Sequence, residues 1–250
     1  MKYIKIFSFT IYISMKSFIK YLIPPILFPN NFKKAFNKIF YNKKNKHLFE
    51  YENSFYKRHA FINLAVSKFE NCKYLEIGVE NNDVFNSIPL KQDNKFGVDP
   101  VSGGNFRMTS DEFFQKHNNL KFDVIFIDGL HEYKQCQNDC INSMRHLNPN
   151  GIILFHDLLP RSYFEEKTPK KQSPWLGDVW KVAVELNNSK NVDFKIINID
   201  FGVGVLKLKN NFEYTKLPEL SEKNFSDYLD LRKKFEIISC DQGLEFILKK

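Results

Sequence analysis

The chain has 250 residues, enough for one well-cored domain with an extension. Its 43% apolar and 26% charged residues are ordinary for a globular protein. Four cysteines with no Cys-x-x-Cys pair exclude a disulfide scaffold and a zinc ribbon, so a reduced, cytoplasmic protein is expected. The formal net charge of +8 is uneven: residues 1–49 hold ten lysines and no Asp, Glu or Arg, and the remainder is close to neutral at −2. That distribution argues against nucleic acid as the partner of the main body.

Residues 1–49 interleave those lysines with twelve Phe or Tyr residues. Ile4, Phe7, Ile11, Met15, Phe18 and Leu22 follow helical spacing, and Pro24 and Pro25 end the pattern. The uncharged stretches are too short to cross a bilayer, and no small-residue cleavage site follows. Lysines among aromatics suit peripheral contact with an anionic surface, here the inner face of the membrane. Packing on the core or on a second copy in a homo-oligomer is the competing expectation.

From residue 50 onward strands and helices alternate. A helix is predicted over 55–69 and strands over 73–78, 95–99 and 122–128. Helix 132–146 carries Cys136 and Cys140 and stops at the turn Asn148-Pro149-Asn150-Gly151. A strand follows at 152–155, then a polar loop over 158–176 and a helix near 177–187. Strands 193–199 and 203–208 are joined by Asp200-Phe201-Gly202, as in a hairpin. Residues 211–250 are expected to be a polar tail with short helices, one of them over 224–236. The alternation implies an α/β domain over 50–210 with a doubly wound, mostly parallel sheet and an antiparallel last strand.

The richest segment is Lys73-Tyr74-Leu75-Glu76-Ile77-Gly78-Val79, followed by Phe96-Gly97-Val98-Asp99. A short apolar run ends in an acid and a glycine, and a second ends in an aspartate. This layout suits a nucleotide cofactor lying across the carboxyl ends of parallel strands. The glycine allows close backbone approach, and Asp99 can accept from two ribose hydroxyls. No Gly-x-Gly-x-x-Gly cradle for a pyrophosphate is present, which favours S-adenosylmethionine over a dinucleotide.

Further segments follow in order: Met108-Thr109-Ser110-Asp111-Glu112-Phe113-Phe114, Phe122 to Asp128-Gly129-Leu130-His131-Glu132-Tyr133, Phe155-His156-Asp157, and Gly177-Asp178-Val179-Trp180-Lys181. Over residues 55–208 the set resembles bacterial class I S-adenosylmethionine-dependent methyltransferases, a family often found with cell-surface polysaccharide or glycosylation genes. The resemblance implies a Rossmann-like, seven-stranded sheet. It also implies that Glu76 and Gly78 line the methionine and ribose side and that Asp99 holds the ribose. Ser110 and Asp111 would lie near the adenine, and Asp128 would face the reacting end. The family commonly has a glycine where this chain has Asn82, a residue that tolerates positive φ.

Methyl transfer to a hydroxyl needs an acceptor held in line and its proton removed. Asp128 with His131, and His156 with Asp157, follow the two strands whose ends should flank the crevice. Related small-molecule O-methyltransferases hold magnesium there, so Asp128 and Asp157 resemble Mg2+ ligands. His131 or His156 acting as a base without metal is the alternative, and a third is His156 packed under the sheet with Asp157 capping a turn. The acceptor is expected to be a small molecule or glycan, with Trp175 or Trp180 offered to a sugar face. For Trp180 the core or the wall of the cofactor site is favoured over substrate contact. A catalytically silent, methyltransferase-like scaffold is the competing function. The absence of an Asn/Asp-Pro-Pro-Tyr/Phe set speaks against base methylation.

Overall fold

The computed structural model describes residues 45–249. The reading of the N-terminal extension therefore lies outside the described residues, apart from its last few positions. Helix α1 (Arg58–Val66) precedes β1 (Tyr74–Ile77), α2 (Asp83–Ser87), β2 (Lys95–Val98), α3 (Ser110–Lys116) and β3 (Phe122–Ile127). Then come α4 (Tyr133–His146), β4 (Leu147–Phe155), α5 (Tyr163–Glu166), α6 (Trp180–Asn188), β5 (Lys190–Ile197) and β6 (Val203–Glu213). The chain closes with α7 (Phe225–Leu231), β7 (Ile237–Ile238) and α8 (Cys240–Leu248).

The seven strands form one sheet in the order β2-β1-β3-β4-β6-β5-β7. Six run parallel, and β6 is antiparallel to both β4 and β5. This is the expected doubly wound architecture. The reversed strand is β6, the second half of the predicted hairpin, and the two-residue β7 adds an edge that periodicity does not reveal.

The central strands are buried on both faces, so they are apolar almost throughout rather than alternating. On β3, Ile125 and Ile127 pack into one core cluster while Val124 and Phe126 pack into the other. The first cluster is completed by Phe113 and Phe114 of α3, Cys136 and Cys140 of α4, and Trp180 of α6. Trp180 is thus a core residue. Phe61 and Ile62 of α1, Val84 and Phe85 of α2, and Phe246 and Ile247 of α8 fill the second. Both i,i+4 cysteines are free thiols.

Three local expectations need correction. Phe55 stands outside α1 and is 96% exposed, so the helix begins at Arg58. The Asn148–Gly151 turn is absorbed into β4, with a register shift between Phe122/Leu147 and Val124/Ile152 that accommodates the extra residues. The stretch after 210 is no polar tail. Strand β6 runs on to Glu213, Tyr228 and Ile247 are fully buried, and Phe225, Phe235 and Phe246 join the core. Pattern reading missed this because these apolar residues are scattered among lysines and acids. Among the described residues no helix is long and apolar enough to cross a membrane.

The buried C-terminal helix generates a direct test. Ile247→Ala should lower unfolding free energy by about 2–5 kcal/mol, the cost of truncating a core isoleucine. Chemical denaturation would measure it, and a loss below about 0.5 kcal/mol would return the segment to the status of a tail.

Candidate active site

The ends of β1, β2, β3 and β4 open into one cavity of about 890 Å³. Glu76, Gly78, Asp99, Ser110, Asp111, Asp128, His131, His156, Asp157 and Trp175 all line it, whereas Asn82 and the core residue Trp180 do not. Residues that the sequence did not flag also line it, among them Arg58, Gln135, Asp139, Lys170 and Phe201.

Gly78 is required where it stands. Its φ is +85°, and a Cβ there would lie 2.2 Å from the Asp128 carbonyl oxygen. No other residue fits against the end of β3 in that conformation. Four residues on, Asn82 takes φ 66°, the left-handed conformation that a glycine would otherwise supply. Its Oδ1 accepts from Gly104 N at 2.8 Å, tying the loop after β1 to the loop after β2.

Glu76 is 1% exposed and accepts from Tyr74 Oη at 2.7 Å. Burial drives its pKa up to about 8 against the pull of that hydrogen bond. Asp99 is arranged oppositely. Burial works against its charge, yet backbone N–H donors from Ser102, Val101 and Glu80 hold its carboxyl below the usual range. Oδ1 takes two of those bonds at 2.8 Å and Oδ2 only one at 3.1 Å, so acceptor capacity is left on Oδ2. Asp99 therefore builds its own loop and still offers an oxygen to the cavity.

At the ends of β3 and β4 the charges crowd together. His131 Nε2 lies 3.2 Å from Asp157 Oδ2 and 3.7 Å from Asp128 Oδ1. Its Nδ1 lies 2.7 Å from the Trp175 carbonyl, an acceptor, so Nδ1 carries a proton whether the ring is neutral or charged. Burial opposes the charge on this ring, but Asp128 and Asp157 outweigh it and push the pKa up to about 9. His156 Nδ1 lies 3.2 Å from Asp128 and 3.3 Å from Asp157. Its Nε2 faces Arg58 Nη1 at 3.5 Å. Against its burial, the same two carboxylates hold His156 well above the ordinary imidazole value, and it in turn helps hold Asp128 well below the carboxylate range.

Arg58 comes from α1, and Asp200 from the β5–β6 link. Arg58 donates to Asp200 Oδ2 through both Nη1 and its backbone N–H, each at 3.0 Å. Both nitrogens of His156 are thus faced by charged groups and the ring is 7% exposed, which suits a positioning role. His131, with a quarter of its side chain exposed, faces the cavity. The Trp175 ring lies 5.2 Å from His131, so part of the predicted polar loop is seated on the site.

Asp128, His131 and Asp157 each offer one ligand atom, and these atoms lie within 4.8 Å of one another. Two carboxylate oxygens and one imidazole nitrogen suit a hard divalent cation such as Mg2+ that keeps some of its waters. At neutral pH, however, Nε2 of His131 carries a proton that such a cation would have to displace.

Residues 76–158, a third of the chain, match the sequence model of a family described as a methyltransferase domain. No curated protein matches the chain. Among solved structures, the chain is similar to the O-methyltransferase from Bacillus cereus in complex with SAH, with 12% identity, 76% of this chain and 94% of that one covered, and a TM-score of 0.48. It is also similar to the O-methyltransferase TomG from Streptomyces achromogenes in complex with SAM, with 11% identity, 61% and 79% covered, and a TM-score of 0.43. MycE of the mycinamycin pathway, in complex with Mg, SAH and mycinamycin VI, gives 14% identity, 71% and 54% covered, and a TM-score of 0.43. These are distant likenesses of shape, whereas the stretch matched by the methyltransferase-domain family runs from Glu76, at the end of β1, to Leu158, just beyond the His156-Asp157 pair.

Proposed function

We propose that this protein is an S-adenosylmethionine-dependent methyltransferase whose acceptor is a hydroxyl, on a sugar of a cell-surface glycan or of its precursor. One observation carries the reading. A single cavity holds a glycine-lined strand end, the backbone-braced carboxylate of Asp99 and a carboxylate–imidazole cluster, over the stretch that matches a methyltransferase domain.

The cofactor supplies an electrophilic methyl group on a sulfonium sulfur. Glu76 and Asp99 serve its ammonium and its ribose hydroxyls. The acceptor oxygen would form its new bond to the methyl carbon as the carbon–sulfur bond breaks toward sulfur, and the hydroxyl proton would leave to the Asp157 carboxylate, which His131 Nε2 faces at 3.2 Å. Asp128, His131 and Asp157 are the residues that would hold Mg2+, which would acidify and orient a bound hydroxyl. Arg58 and Asp200 keep His156, and through it both carboxylates, in place. The sugar rests on the expected association with glycan genes and on the aromatic and cationic wall of Trp175 and Lys170. A cytoplasmic location at the inner membrane face fits the basic extension.

Calorimetry of the intact chain with S-adenosylmethionine and S-adenosylhomocysteine, with and without Mg2+, tests the cofactor reading. Micromolar binding is expected, weakened at least about tenfold by Asp99→Ala, since hydrogen bonds to a charged group contribute roughly 1.5–3 kcal/mol. No binding by the intact chain would sink the enzyme reading. Binding without turnover across hydroxylated sugar acceptors would favour the silent scaffold.

Glu76 offers a second test through stability. Its folded-state pKa, about 8, lies above the ordinary 4.5, so the folded state binds the extra proton between those values. Its contribution is full below the lower value and is lost as pH rises through the upper one, by up to about 1.4 kcal/mol per pH unit. Glu76→Gln keeps an acceptor for Tyr74 and removes the buried charge. Relative to the parent it should gain stability between pH 5 and 8.5 while binding cofactor more weakly. A stability difference that stays flat over that range would contradict the assignment.

A further inference from the structure

The end of the cavity nearest His131 carries one cation that the charge cluster does not use. Around the ends of β3 and β4, Arg58, His131 and His156 face Asp128, Asp157 and Asp200, and with both imidazoles protonated these six groups balance. Lys170 lines the same cavity and is exposed, and among the described residues no carboxylate lies within ion-pair distance of it. The acids nearest to it in sequence are turned inward and occupied. Glu165 is buried and pairs with Arg161 and His47, and Glu166 is buried and accepts from Trp180 Nε1 at 3.4 Å. The Lys170 Nζ instead lies 5.9 Å from the centroid of the Trp175 ring, within cation–π range. That ring is held firmly. Trp175 Nε1 donates to the Lys167 carbonyl at 3.0 Å, and the Trp175 carbonyl lies 2.7 Å from His131 Nδ1. Leu176 N and Gly177 N both donate to the Glu165 carbonyl. A Cβ on Gly177 would lie 1.7 Å from the His131 carbonyl oxygen, so only glycine lets the loop come this close to the site. One indole ring thus neighbours both His131, at 5.2 Å, and the free charge of Lys170.

Resting on the proposed methyl transfer, we infer that the acceptor is anionic: the sugar that is methylated, or the group joined directly to it, carries a carboxylate or a phosphate that Lys170 binds while Trp175 supports the ring. A neutral sugar would leave this charge idle. An anion meets an unpaired ammonium in a region whose other charges cancel, so attraction to Lys170 is not offset by the acids of the cluster. Such a charge at the cavity wall also steers an anion toward the site before contact. A lysine ammonium is a point charge on a flexible stem, without the planar fork of arginine, so it serves a carboxylate and a phosphate alike.

The test titrates the full chain, saturated with S-adenosylhomocysteine, with methyl glucuronoside, glucose 1-phosphate and neutral methyl glucoside, followed by ligand-observed NMR. At low ionic strength the parent should bind at least one of the two anions about fivefold more tightly than the neutral sugar, the upper range for an exposed ion pair. Added salt should erode that difference. The anion preferred identifies the source of the charge, a carboxylate on the sugar or a phosphate beside it. Lys170→Glu should reverse the preference, and Lys170→Arg should keep it. A lysine that only props the loop would weaken charged and neutral ligands alike and leave their ratio unmoved. Lys170 is exposed, so neither substitution threatens folding. If the complex binds all three sugars equally, binds none of them, or keeps its preference in Lys170→Glu, the anionic acceptor is overturned while the methyltransferase reading stands on its cofactor. If the parent does not bind S-adenosylhomocysteine at all, both fall together.

Discussion

The site depends on the register of four parallel strands. Ile77 pairs with Val98 and with Ile127, and Ile127 pairs with Phe155. The residues that follow, Gly78, Asp99, Asp128 and His156, therefore leave the sheet at one level and side by side. A slip of one residue would turn the core-facing side chains of a strand to the opposite face. Here each face packs against its own core cluster, so the register that buries Ile125 on one side and Phe126 on the other also levels the functional groups. Hydrophobic packing that has nothing to do with chemistry thereby sets the geometry of the chemistry.

What the sheet levels, the charges then tie together. Asp128, Asp157 and Asp200 meet Arg58, His131 and His156 in a group where each acid lies within ion-pair distance of a base. Removing six such groups from water is costly unless they satisfy one another. With both imidazoles protonated, three negative charges face three positive ones. Protons on the histidines thus neutralise the carboxylates, which explains how two adjacent acids and a third nearby can be buried together. A divalent cation bound to Asp128 and Asp157 would take over that neutralisation and release protons in exchange.

The sequence disclosed the parts of the site that sit on strand ends, because a short apolar run followed by Gly, Asp or His-Asp marks both the strand and its mouth. It did not disclose Arg58, Asp139 or Asp200. Each lies on a helix or link whose local pattern is unremarkable, and its role arises only from tertiary contact with a residue between 29 and 142 positions away. Gln135 and Asp139 are a special case. Their i,i+4 spacing on α4 is plain, but burial of an acid beside Ser110 is a property of the packed structure. The C-terminal stretch is illegible for a related reason: Tyr228 packs on Trp180 of α6 and Ile247 shares a cluster with Phe61 and Ile62 of α1, partners remote in sequence.

The remaining feature without a sequence signal is strain. Asp157, Asp200 and Phe201 have φ of 62°, 42° and 66°, a left-handed region that L-residues other than Asn and Asp rarely visit. Such conformations cost about 1–3 kcal/mol each and persist where surrounding bonds over-determine them. Here the two turns brace each other. Leu158 N donates to Gly202 O, Leu159 N to Phe201 O, and Arg58 N to Asp200 Oδ2. The bend at Asp157 places its carboxylate against both His131 and His156, and the bend at 200–202 sets the Phe201 ring 5.9 Å from His156. Relaxing either turn would break the contacts that hold the other. The link between β5 and β6 is therefore a structural part of the site, although it carries no motif of its own.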